Sequence, residues 1–140
     1  MTDSALIPFA SLLAGGFLQF LFARVTAKEN LRREMRRQLY ASFVENFWKA
    51  ATLKDNSPER DDVLRQHAQL STHISLYCSP QVLMFLSRVL KRPSIENAAD
   101  RESWKNLICA MRRDVGEKVD EQTKTSVNDI LFERESANPL

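Results

Sequence analysis

Glycine is scarce in this chain of 140 residues, at three, and histidine and cysteine number two each. With so little glycine there is no glycine-rich loop to cradle a phosphate, and neither an HExxH pair nor a nucleophile elbow occurs. Cys78 and Cys109 form no CxxC and no ligand spacing with the histidines, so they read as packed thiols of a reducing compartment. His67 and His73 are six residues apart. On one helix that separates them by about 240°, too far around to share a metal ion. No internal repeat and no low-complexity tract interrupts the chain. The net charge of +2 is too small to argue for a nucleic-acid partner. Together these absences leave no catalytic residue, no cofactor site and no metal site to nominate, and the expectation is a protein without enzymatic activity.

Charge is missing most conspicuously from one place. Residues 5–23, ALIPFASLLAGGFLQFLFA, contain none, and they hold four of the eight phenylalanines. As a helix this run measures roughly 28 Å at about 1.5 Å per residue, close to the hydrocarbon thickness of a bilayer. A secretory signal would carry positive charge ahead of its apolar core. Here Met1, Thr2, Asp3 and Ser4 precede it, with no lysine or arginine. The expectation is therefore a single N-terminal transmembrane helix over residues 5–23.

Immediately after the run the basic residues arrive: Arg24, Lys28, Arg32, Arg33, Arg36 and Arg37, opposed only by Glu29 and Glu34. A basic flank stays on the cytoplasmic side of a membrane. That predicts an N-terminus facing out, a C-terminal domain in the cytoplasm, and these six side chains in contact with lipid head groups. Within the run, Ser11, Gly15, Gln19 and Ala23 recur every fourth residue. Small residues at that spacing let two helices approach closely, and a buried amide can bond across the gap, so this row is the expected span helix–helix interface of a homo-oligomer.

Residues 24–132 read as a cytosolic helical domain, because apolar residues recur at helical spacing and strand alternation is absent. Leu31, Met35, Leu39, Tyr40, Phe43, Val44, Phe47, Trp48 and Ala51 continue the first helix without a breaker. Ser57-Pro58 starts a second helix along Val63, Leu64, His67, Leu70, Ile74 and Tyr77, and Ser79-Pro80 starts a third along Val82, Leu83, Phe85, Leu86, Val89 and Leu90. A fourth carries Trp104, Leu107, Ile108, Met111 and Val115 and stops at Gly116. A small apolar cluster at Val127, Ile130, Leu131 and Phe132 marks a short docking helix, and residues 133–140 form a disordered tail. The predicted fold class is all-α: one span continuing into a cytosolic bundle of about four helices, with Trp48 and Trp104 in its core.

The uncharged run, the basic exit, the aromatic stretch LYASFVENFWKA and the closing AMRRDVG, with its Arg113-Asp114-Val115-Gly116 pattern, resemble a loose group of small bacterial inner-membrane proteins of unknown function. The resemblance implies a bacterial inner-membrane location and supplies no activity. Three roles fit such a chain: a membrane-tethered adaptor, scaffold or regulatory module acting on an unknown protein partner; an oligomeric membrane-perturbing effector; or a subunit of a larger membrane complex. The adaptor or scaffold ranks first, since a span with a single glutamine makes a poor pore lining.

Overall fold

The computed structural model describes the backbone of residues 6–93 and 95–132, and side chains from Gly15 onward. The tail at 133–140 lies outside the described residues. Five helices run in order: α1 Leu6–Thr52, α2 Pro58–Tyr77, α3 Pro80–Lys91, α4 Ala98–Asp114 and α5 Glu121–Phe132. Among the described residues there is no strand, so the protein is all-α as expected. The chain divides into two compact units, Met1–Glu34 and Met35–Leu140.

In the first unit, every described side chain from Gly15 to Lys28 is exposed. Phe17, Phe20, Phe22 and Val25 are 63%, 61%, 71% and 67% exposed. Local bonds are short-range: the Thr26 hydroxyl donates to the Phe22 carbonyl at 2.8 Å, and Arg33 Nε donates to Glu29 Oε1 at 3.3 Å. Among the described residues no helix is long and apolar enough to cross a membrane. Residues 5–14 of the uncharged run lie outside those whose side chains are described.

The second unit is a helical bundle whose elements begin and end where side chains satisfy the free backbone groups of helix termini. The Ser57 hydroxyl accepts from the Arg60 N–H, with Pro58 at the first position and Glu59 and Asp61 in the first turn, where carboxylates complement the dipole. Ser79 repeats the device for α3, accepting from the Val82 N–H. Asn97 caps α4 by accepting from the Asp100 N–H at 2.9 Å. The end of α4 is a paired closure: Gly116 N–H donates to the Arg113 carbonyl and Glu117 N–H to the Arg112 carbonyl, each at 2.9 Å. This six-to-one and five-to-two pairing needs a left-handed residue, and Gly116 supplies it with φ 88. Asp120 caps α5 by accepting from the Thr123 N–H at 2.8 Å, so the expected docking segment is a full fifth helix.

The core joins Tyr40 and Phe43 of α1, Ile74 of α2, Val82, Leu86 and Val89 of α3, and Trp104, Leu107, Ala110 and Met111 of α4, with Val115. Several expected core positions are exposed instead. Leu31 and Met35 are 72% and 38% exposed, and Leu64, Tyr77, Leu83, Leu90 and Ile130 also face outward. Trp48 is half-buried at the flank of Phe47, whereas Trp104 is inside the core.

Candidate functional site

Asp114 sits in the last turn of α4, where the helix dipole disfavours a carboxylate. A side chain that is 5% exposed there needs compensation, and α1 provides it. Arg36 and Tyr40 stand one turn apart on α1, so both reach the same point. Arg36 Nη1 donates to Asp114 Oδ1 at 3.0 Å, and the Tyr40 hydroxyl donates to Oδ2. Burial pushes the Tyr40 phenol far above its usual range, and its bond to Asp114 adds to the shift, so the group stays a donor. Cys78, at the α2–α3 junction, lies within the field of the same carboxylate. Burial raises its thiol, and the Asp114 charge raises it further. Burial likewise raises Cys109. Neither thiol has the depressed value of a nucleophile.

A second cluster is aromatic. Phe43 stacks on His67 with ring centroids 4.4 Å apart and planes at 27°, and Phe47 lies 4.0 Å from Trp104. His67 Nδ1 and Trp104 Nε1 are buried with no hydrogen-bond partner among the described residues. Burial lowers the His67 pKa, so the ring is held neutral. The unfolded chain therefore binds more protons than the folded one as pH falls below the ordinary histidine value of about 6.5. Stability from this source is complete above that value and declines as pH drops through the lowered folded value. Unfolding free energies measured at pH 7.5 and 5.5 should show the loss in the native chain, and His67→Phe should remove part of it; equal slopes in both would disprove the assignment. His73 is exposed and takes no part in the cluster. Among the described residues no group of three or more His, Cys, Asp and Glu side chains is placed to hold a metal ion.

Beside the Asp114 network an apolar groove of about 590 Å³ opens between α1, α4 and α5. Its α1 wall is Arg37, Tyr40, Ala41 and Val44, and its other wall is Ile108, Met111 and Arg112 of α4 with Val115 at the end of that helix, and Leu131 of α5 also lines it. Both walls follow helical i, i+3, i+4, i+7 spacing, the signature of one face on each helix. Four charges mark the rim. Arg37 pairs with Glu117 at 3.4 Å. Among the described residues, Glu45 and Arg112 have no ion-pair partner.

Of the six expected head-group contacts, Arg24, Lys28, Arg32, Arg33 and Arg37 are exposed. Arg36 is not: its side chain is 15% exposed and bound to Asp114, so it belongs to the bundle rather than to a lipid-facing row. Of the expected span interface, Gln19 and Ala23 are exposed, and a Cβ built on Gly15 meets nothing within 4 Å. Ser11 lies outside the described side chains. In the sequence Asp114 stands out only within the closing Arg113-Asp114-Val115-Gly116 pattern, and nothing there marks Arg36 or Tyr40 as its partner. The available signal was an acid at a helix C-terminus facing an Arg–Tyr pair at i, i+4. No protein-family model, curated protein or solved structure matches the chain.

Proposed function

We propose that this chain is a membrane-tethered helical adaptor or scaffold without enzymatic activity, anchored in a bacterial inner membrane with its N-terminus out and its bundle in the cytoplasm. The observation that carries the reading is the exposure of Phe17, Phe20, Phe22 and Val25 immediately before the basic residues that start at Arg24. Large apolar side chains exposed in succession call for an apolar environment, whether lipid or another chain. The uncharged residues 5–23 are long enough for lipid, and the basic cluster on one side alone orients them. The likeness in layout to small bacterial inner-membrane proteins points the same way. The exposed arginines after the run suit anionic head groups, each contributing roughly 1 kcal/mol at low salt. The row Gly15, Gln19 and Ala23, with Ser11, suits pairing of two spans and makes a homo-oligomer part of the proposal. The same row is what favours the second reading, an oligomeric membrane-perturbing effector.

The full chain is expected to stay in the membrane pellet after alkaline carbonate washing. A C-terminal reporter that works only in the cytosol is expected to be active. Changing Arg24, Lys28, Arg32 and Arg33 together to glutamine should mix the topology. Release into the supernatant, or an active periplasmic reporter on the native chain, overturns the tether. Collapse of membrane potential on expression, reversed by Gly15→Ile, would favour the effector.

A further inference from the structure

We infer that the groove between α1, α4 and α5 receives one amphipathic helix of a partner protein, a helix that flanks its apolar stripe with a basic residue on one side and an acidic residue on the other. The inference rests on the adaptor reading and names its class of partner. Each wall spans seven residue steps, about 10 Å at 1.5 Å per residue, which matches two turns of a guest helix. The walls are apolar between the rim charges, from Val44 to Met111 and Val115, as helix-in-groove recognition requires. The rim then sets the flanks. Glu45 rises from the α1 wall and Arg112 from the α4 wall. Both are exposed, and among the described residues neither has an ion-pair partner. Flanking charges of opposite sign on the two sides of an apolar seam are the device by which helices choose partners.

Charge separates this occupant from the others. An anionic amphiphile would meet a rim that is neutral in sum, Arg37 and Arg112 against Glu45 and Glu117, with nothing to favour its head group. A second copy of this chain would have to offer a suitable helix. The exposed stripe Leu83, Met84 and Leu90 of α3 carries only the basic Arg88 and Lys91 and leaves Arg112 unmatched, and docking by any other helix of a second copy is the self-association outcome of the test below.

The test uses the full-length chain in nanodiscs of neutral phosphatidylcholine, with empty nanodiscs as the blank. Three synthetic helical peptides share one leucine stripe and differ only in their flanks: mixed lysine and glutamate, all lysine, or all glutamate. The native chain is expected to bind the mixed peptide about fivefold more tightly than either uniform one, the range of exposed charge pairs gained or opposed. Arg112→Glu should transfer the preference to the all-lysine peptide, and Glu45→Lys to the all-glutamate peptide. Ala41→Trp, which fills the groove from an exposed position, should abolish binding of all three while leaving the helical circular dichroism unchanged. The proposal is overturned if no peptide binds, if the three bind equally whatever the rim, if Ala41→Trp has no effect, or if Ala41→Trp instead abolishes self-association of the chain. A chain that shows the exchange but washes off membranes overturns the tether and leaves the groove assignment standing. A chain that resists washing but shows no exchange does the reverse.

Discussion

Asp114→Ala is expected to destabilise the bundle by about 3–5 kcal/mol, the cost of breaking a buried ion pair by removing one partner. The carboxylate accepts from Arg36 and from Tyr40 at once, and its side chain is only 5% exposed. Its removal takes a buried counter-charge from beside the Arg36 guanidinium, itself 15% exposed, and deprives the Tyr40 hydroxyl of this acceptor. Asp114→Asn should cost less, because an amide oxygen still accepts one of the two bonds. Replacing all three residues together, by Arg36→Met, Tyr40→Phe and Asp114→Leu, should recover much of the loss, since the ion pair and the hydroxyl that meet at Asp114 are then removed together. Urea unfolding followed by circular dichroism measures each value. If Asp114→Ala costs less than about 1 kcal/mol, the network behaves as a surface pair and its part in joining α1 to α4 is refuted.

The second large effect is at Trp104. Its indole is 4% exposed and lies 4.0 Å from the Phe47 ring and 6.1 Å from the Phe43 ring, centroid to centroid. Truncation to alanine should cost about 3–5 kcal/mol through lost burial and the cavity left behind. Trp104→Phe should cost roughly 1–2 kcal/mol, because only part of the volume is lost and Nε1 has no hydrogen bond to lose among the described residues. Trp48→Ala should cost about 1 kcal/mol, since that indole is half-buried and touches the core through an edge-on contact with Phe47 at 5.6 Å. Two single-tryptophan chains give an independent readout: emission from Trp104 alone should be blue-shifted relative to emission from Trp48 alone. Equal stability losses and equal spectra at both positions would contradict the division between core and flank.

What the sequence discloses here is set by how local the cause is. Ser57-Pro58, Ser79-Pro80 and Gly116 act within one turn of themselves, and the helix limits they imply agree with the structure. Asp120 is equally local, but it heads a polar segment with weak apolar periodicity, so α5 reads as shorter and vaguer than it is. Burial was harder to read. Val82 and Leu83, and again Val89 and Leu90, are neighbours about 100° apart on a helix, so one of each pair must turn away from a single packing face. Val82 and Val89 are buried, and the two leucines are not. Arg36 has the same chemistry as Arg32, Arg33 and Arg37, and nothing in its neighbours reveals that Asp114, 78 residues later, will claim it. The groove has the same character, since its walls come from helices far apart in the chain.

The shared carboxylate of Asp114 also bears on how this chain can drift over generations. A change at Asp114 alone costs the Tyr40 hydroxyl its acceptor and the Arg36 guanidinium one of its buried bonds, whereas a coordinated change removes the pair and the hydroxyl together. The three positions therefore form one heritable character. The intermediates between a polar set and an apolar set are expected to be less stable than either end. A path across needs a stabilising substitution elsewhere to come first, and the order in which mutations arrive matters more at these three positions than at any exposed arginine nearby.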